Sequence, residues 1–360
     1  MTDTQLGPEF SLLVRCCRWN FAKAQSPSPP ELPPELDWNG VVTLARRHRV
    51  QGLVWNALAQ HADRLPSHAK EALSSEARSI AATNLAIAAE CRELHRLFGQ
   101  ASLPMLFIKG LTVGALAYRS PLLKMGWDID LLIDPCDLPK SAKLLVDRGY
   151  VLRTPSDPTR IESWHGSSKE SVWSRDDSLH IELHTRLADN KWLIPAIDVH
   201  SPRLSVEVAP SLSLPTLAED LLVAYLAVHG ASSAWFRLKW ISDFAALLAG
   251  RTKEEIEQLY RRSQELGAAR AMGQALLLAD RLFDALKAAP ELRAELARDR
   301  ATRMLCSAAL RMLANDSEPT ERPLGTLPIH WTQLLLRPGL DFKLSELKRQ
   351  GYSLFSQLVH

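Results

Sequence analysis

The sequence has no apolar run approaching the roughly 20 residues that a membrane-spanning helix needs. Its first ten residues, Met1 to Phe10, lack the basic flank and long apolar stretch of a signal peptide. Cysteine is scarce. Cys16, Cys17, Cys91, Cys136 and Cys306 are odd in number, scattered apart from one adjacent pair, and show no paired metal-ligand spacing. That argues against a cysteine-based zinc site or a disulfide framework and fits free thiols in a reducing, cytoplasmic setting. A dominant charge is missing too: 43 basic residues face 41 acidic ones, a formal net charge of +2. A large nucleic-acid surface is therefore not favoured, although a local basic patch is compatible with the total. Internal repeats and low-complexity tracts are absent. An apolar fraction of 46% and a charged fraction of 23% over 360 residues describe a soluble globular chain with material for two or three packed units.

The pattern along the chain is helical at both ends and mixed in the middle. Residues 8 to 20 read as a short helix. The proline-rich connector from Ser26 to Pro34 can sustain neither helix nor sheet. Asp37 is a candidate cap for a helix carrying Val41, Leu44, Ala45 and His48. Residues 69 to 99 form a long amphipathic helix, with Leu73, Ile80, Ile87, Cys91, Leu94 and Phe98 at helical spacing. Residues 104 to 109 read as a strand, Thr112 to Tyr118 as a helix, and Tyr150 to Arg153 as a strand. Between the last two, Asp137 opens a helix that stops at Gly149. Ser171–Ser174 and Leu179–His184 flank the turn-like Arg175-Asp176-Asp177-Ser178 and read as a hairpin. Thr216-Leu217-Ala218-Glu219 has the form of a capping box before a helical run, and helices follow at about 235–249, 253–265, 267–287 and 300–314. The expected organisation is an N-terminal helical segment (1–99), an α/β core (100–210) and a C-terminal helical domain (211–360).

Two stretches in the core carry chemistry. In Trp127-Asp128-Ile129-Asp130-Leu131-Leu132-Ile133, alternation puts Asp128 and Asp130 on one face of a strand. Adjacent carboxylates repel unless a proton or a cation is shared between them. A hard divalent ion such as Mg²⁺, with Mn²⁺ as the second candidate, suits oxygen ligands of this kind. In Leu179-His180-Ile181-Glu182-Leu183-His184 the alternation recurs, with His180, Glu182 and His184 on one face. If the two strands are neighbours, Glu182 completes a three-carboxylate site. Upstream, Lys109 and Gly110 end an apolar run; the glycine permits close backbone approach to a phosphate and the lysine adds charge. Lys124 and Arg119 are further candidates for phosphate.

These residues together resemble the nucleotidyltransferase superfamily typified by DNA polymerase β. They are most similar to an uncharacterised bacterial branch with a Lys-Gly element, an Asp-x-Asp strand and a Glu-Leu-His strand. Ala45-Arg46-Arg47-His48-Arg49-Val50 resembles that branch's N-terminal helix. His229, Trp235, Arg237-Leu238-Lys239-Trp240 and Asp243 resemble its C-terminal helix pair. The similarity covers roughly residues 40 to 250. Two departures stand out: Gly110 is followed by Leu111 rather than by a serine, and Lys124 stands where the branch often has an arginine. The resemblance implies an α+β fold, a small mixed-sheet polymerase β-like core between helical segments. It also implies that Asp128, Asp130 and Glu182 serve as metal ligands and catalytic carboxylates. Lys109, Gly110, Lys124, His184, His229 and Asp243 would contact substrate. The reaction implied is transfer of a nucleotide from a nucleoside triphosphate to a hydroxyl or phosphate of an unidentified acceptor.

Competing readings exist for each group. The acids alone could be a polar strand face; Glu182 could instead be a general base, and His184 a structural histidine. A zinc site from His180, Glu182 and His184 requires three ligands to converge from one flat strand. Arg237 and Lys239, two apart on a helix, would face different ways. Trp235 and Trp240 suit core or interface better than base stacking. For function, the alternatives are phosphoryl transfer at the same site, a toxin-like transferase acting on transfer RNA, and a non-catalytic nucleotide-binding module. Neither the acceptor nor the oligomeric state can be read from the residues.

Overall fold

The structure, a computed structural model, describes residues 6–23, 29–176 and 179–358, with the backbone alone for 352–358. Ser26 to Ser28 of the proline-rich connector, and Asp177 and Ser178 of the proposed hairpin turn, lie outside the described residues. The fold is α+β. Seven strands are β1 (Met105–Phe107), β2 (Asp128–Ile133), β3 (Val151–Thr154), β4 (Glu170–Arg175), β5 (Leu179–His184), β6 (Arg203–Ala209) and β7 (Leu212–Leu217). The first five form one mixed sheet in the order β1-β2-β5-β4-β3. Among the described residues only β2 and β5 pair in parallel, with Asp128 opposite His180 and Asp130 opposite Glu182.

Alternation along β2 sends its two faces into different cores. Ile129, Leu131 and Ile133 join Ile181, Leu183, Trp173 and the β6–β7 hairpin residues Val206 and Leu214. Leu132, with Leu106 and Ile108, belongs to the helical core built from the chain's two ends. The acidic face of β2 therefore looks toward the helices. The helix Ser67–Gln100 spans both cores, with Leu73 in the helical one and Ile87, Leu94 and Phe98 against the sheet. At the sheet side Glu90, 4% exposed, accepts from Arg175 (2.7 Å), Arg148 (3.0 Å) and Tyr150 (3.1 Å). Although burial alone would raise its pKa, the two guanidiniums hold that carboxyl below its ordinary value.

Most expected elements are present, with shifts at their ends. The N-terminal helix is Pro8–Trp19, the next is Trp38–His48 with the Asp37 carboxylate accepting from Asn39 N at 3.0 Å, and the 267–287 helix is confined to Ala269–Phe283. Two expectations fail. Thr216 and Leu217 close β7, so there is no capping box; helix Glu219–Ser232 starts after Ala218 with no side-chain cap. Asp137 does precede helix Leu138–Asp147, but its side chain makes no capping bond. The Asp134 carboxylate instead accepts from Cys136 N at 2.8 Å. Helices Pro290–Leu296, Leu327–Gln333 and Leu340–Leu358 were not anticipated.

Among the contacts that join the N-terminal and C-terminal helical parts is one made by a buried histidine. His48, at the end of Trp38–His48, accepts from Leu238 N through Nδ1 at 3.2 Å and meets Phe10 edge-on at 5.1 Å. Burial, helped by neighbouring Arg47, pushes its pKa down to about 3, so the ring is neutral and able to accept. Between that value and the ordinary one near 6.5, the unfolded chain binds a proton that the folded chain refuses. Stability at this position therefore falls as pH drops from about 6.5 toward 3, by up to about 1.4 kcal/mol per pH unit. A His48→Gln variant, which keeps an acceptor but cannot charge, should flatten the urea-unfolding pH profile over that window by about one proton; an unchanged slope would refute the assignment.

Candidate active site

Where the helical core meets the acidic face of the sheet, a cleft of about 210 Å³ opens. The sheet side contributes Lys109, Gly110, Asp128, Asp130, Lys169, Glu170 and Glu182, while Arg49, Lys124, His229, Arg237, Lys239, Trp240 and Asp243 come from the loops and helices around it.

On the sheet side, parallel register sets Asp130 and Glu182 directly across from one another. Neither carboxylate is left to repel the other. Lys109, just past β1, places its ammonium 2.6 Å from Asp130 Oδ1 and 3.6 Å from Glu182 Oε2. His184 Nε2 lies 3.1 Å from Asp130 Oδ1 and 3.5 Å from Glu182 Oε2, and its Nδ1 is 3.3 Å from Glu170. Glu170 in turn pairs with Lys169. Burial opposes every charge here, but the partners decide the outcome. For Lys109, desolvation is outweighed by Asp130 and Glu182, and the pKa rises well above the ordinary lysine value. His184 is likewise raised, because Glu170, Asp130 and Glu182 overcome burial and the charge of Lys169. Glu182 is lowered despite burial, by Lys109 and His184. Asp130, the more deeply buried of the two carboxylates, is raised by desolvation that Lys109 only partly offsets, with Asp128 and Glu182 adding to the rise.

Asp128 lies on the same strand face and lines the cleft, but it stands outside this tight group. The donor atoms lying within 4.8 Å of one another belong to Asp130, Glu182 and His184. Asp128 sits half-buried one pleat toward the mouth, beside Trp127, whose indole stacks on His180 at 5.7 Å. That stacking occupies the ring of His180, which is absent from the donor group, so the zinc alternative loses one of its three ligands. Gly110 adopts φ +66°, a conformation that favours glycine, and leads directly into helix Leu111–Ala117. Thr112 Oγ1 pins this turn through the Lys109 (3.1 Å) and Phe107 (3.2 Å) carbonyls.

The facing wall is mostly cationic. Lys124 Nζ is 3.4 Å from Asp243, which also accepts from Tyr118 OH at 2.9 Å. Arg237 is held by Glu318 at 2.6 Å. It precedes helix Leu238–Leu248 in extended conformation rather than lying on it, so Arg237 and Lys239 both reach the cleft; the expectation that they diverge is wrong for that reason. Lys239 donates to the Met125 carbonyl at 2.9 Å, and burial, with Lys124 nearby, depresses its pKa to about 7. Among the described residues neither Arg49 nor Lys239 forms an ion pair with a carboxylate. His229 meets Trp240 edge-on at 5.5 Å, and burial together with the charge of Lys109 keeps it neutral. Arg119 is stacked on Trp19 and does not line the cleft. Trp235 is fully buried beneath Gly230, where a Cβ would lie 2.4 Å from the indole.

Sequence reasoning missed Arg49, Lys169, Glu170 and Asn84. The first three carry no local signal: Arg49 is one arginine among three, and Lys169 and Glu170 matter only because β4 lies beside β5. Asn84 is a polar residue inside an amphipathic stripe, which was the available clue. Its Nδ2 donates to the Lys124 (2.7 Å), Pro121 (3.2 Å) and Leu122 (3.2 Å) carbonyls, gripping the loop that carries Lys124 into β2. Gly126 leaves room for it; a Cβ there would lie 2.5 Å from Asn84 Oδ1.

The Asp130–Glu182 carboxylate pair thus faces lysine and arginine side chains across a polar cleft. Residues 34–284, more than half of the chain, match the family described as "Uncharacterised nucleotidyltransferase", and the chain belongs to that family. A general nucleotidyl-transfer role follows from this membership. No curated protein matches the chain. No helix among the described residues is long and apolar enough to cross a membrane.

Replacing Asn84 by alanine strips three carbonyls, one buried and two part-buried, of this donor. The expected cost is about 1–3 kcal/mol in chemical denaturation, with faster hydrogen exchange across 121–126. Exchange rates there equal to wild type would show that the loop is held by something else.

Proposed function

We propose that the protein is a metal-dependent nucleotidyltransferase. It would move a nucleotide from a nucleoside triphosphate to a hydroxyl or phosphate of an acceptor, with release of pyrophosphate. The observation that carries this reading is the pairing of Asp130 with Glu182 on adjacent parallel strands, opposite a wall on which Arg49 and Lys239 have no carboxylate partner among the described residues. The donor set fits a divalent ion: two carboxylates and an imidazole with atoms within 4.8 Å, already needing a positive charge between them, and Asp128 on the same face. Asp128, Asp130 and Glu182, with His184 beside them, would hold Mg²⁺ or Mn²⁺. When bound, such an ion neutralises charge on the phosphates and activates the attacking oxygen.

The chain's own groups have distinct tasks. Glu182, with its pKa held low, suits carrying charge better than taking a proton, so the general-base alternative is the weaker one. Gly110 lets the backbone at the start of helix Leu111–Ala117 approach a phosphate closely. Arg49 and Lys239, which pair with no acid among the described residues, would receive the polyphosphate. Lys124 is fixed by Asp243, and Asp243 by Tyr118, which keeps this wall rigid. His229, neutral and backed by Trp240, offers a hydrogen-bonding ring to the substrate at the cleft wall.

Incubation of the enzyme and cell extract with α-labelled and γ-labelled triphosphates tests the reaction. Wild type should transfer the α label, and Asp130→Asn should lose at least about 100-fold of the rate. Transfer of the γ label instead would replace the proposal with phosphoryl transfer. Once an acceptor is found, Arg49→Ala and Lys239→Met should each raise KM for the triphosphate by about tenfold or more, as expected for a lost charge-assisted bond. Unchanged KM in both would remove the two residues from the phosphate subsite.

A further inference from the structure

Lys109 was expected to address phosphate. Instead its ammonium lies between the two carboxylates, 2.6 Å from Asp130 and 3.6 Å from Glu182, with its side chain only 14% exposed. The same carboxylates supply two of the three clustered donor groups. A divalent cation held by both acids would lie within a few ångströms of the ammonium, and two positive charges so close repel each other strongly in so dry a setting. We infer that Lys109 is a built-in counter-ion competing with the divalent ion for Asp130 and Glu182, and that metal loading drives its ammonium off the acids and into the cleft, toward the substrate phosphates. This rests on the divalent-ion reading above.

Three features support the exchange. Lys109 stands just past β1, and the four rotatable bonds of its stem let the ammonium swing without moving the strand. Three other cations of the cleft are tethered away from the donor group: Lys124 by Asp243, Arg237 by Glu318 and Lys239 by the Met125 carbonyl. Lys109 alone among these four takes its partners from the clustered donors. Its release also places a positive charge in the cleft only when the acids have acquired another one, so the carboxylates never stand unneutralised.

The test is Mn²⁺ binding to the full chain without nucleotide, followed by the electron paramagnetic resonance signal of free Mn²⁺. Lys109→Met, similar in shape but neutral, should bind Mn²⁺ at least about tenfold more tightly than wild type. Lys124→Met removes a charge from the same cleft that is held by another acid, and should change the affinity by no more than about twofold. Equal or weaker Mn²⁺ binding by Lys109→Met would overturn the competition while leaving the metal site in place. Absence of Mn²⁺ binding in every variant would overturn the metal reading and this inference with it. Thermal melting gives a second readout, with Lys109→Gln used if the methionine variant does not fold. Without metal the variant should melt below wild type, and saturating Mn²⁺ should close the gap; a gap of the same size with and without Mn²⁺ would also overturn the inference.

Discussion

Everything at the cleft depends on one constraint, the parallel pairing of β2 with β5. Because the register is set opposite residue by opposite residue, Asp130 and Glu182 have no freedom to separate, and a positive charge must be kept between them. Lys109 and His184 meet that need from two directions, and Glu170 and Lys169 then follow as the next layer of compensation. The apolar side of the same strands makes the pairing hard to slip. A shift of one residue would carry Ile129, Leu131 and Ile181 out of their core and the acids into it.

Much of this was legible in the residues, for a physical reason. Alternation in Asp-Ile-Asp-Leu and in Leu-His-Ile-Glu-Leu-His is a strong signal because a strand has two faces and each run states both. The long helix Ser67–Gln100 and Asp37 as a cap were readable on similar grounds, since spacing and a short-range hydrogen bond are local properties. Distance between charges was not readable. Nothing in the order of residues says that Lys109 faces Asp130 rather than open cleft, or that Asp128 stands one pleat apart from the donor cluster. The β6–β7 hairpin was missed because Thr216-Leu217-Ala218-Glu219 satisfies a helix-start pattern, while the pairing of Leu204 with Thr216 that overrides it lies twelve residues away in sequence. Arg237 shows the same lesson at smaller scale. It stands just before the helix in extended conformation, so the facing of helical positions two apart does not govern it.

The two walls of the cleft differ in how they are held. Acidic groups rise from a sheet whose strands are mutually hydrogen-bonded. The cations on the other side stand on helix ends and on a loop, each fixed by a separate contact: Lys124 through Asp243, the loop through Asn84, and the start of Leu238–Leu248 through His48. Polar groups so buried are stable only while their partners stay, which makes these contacts, rather than the cations themselves, the source of the wall's shape.

His48 gives that arrangement a further meaning. By accepting from Leu238 it staples the chain's opening segment to a helix that begins almost two hundred positions later. The lining runs from Arg49 to Asp243, so an excised piece holding only the sheet would inherit the acids and Lys109 without most of the opposing positive groups. The pocket is a property of the chain's circuit, closed where its beginning is fastened to its later half.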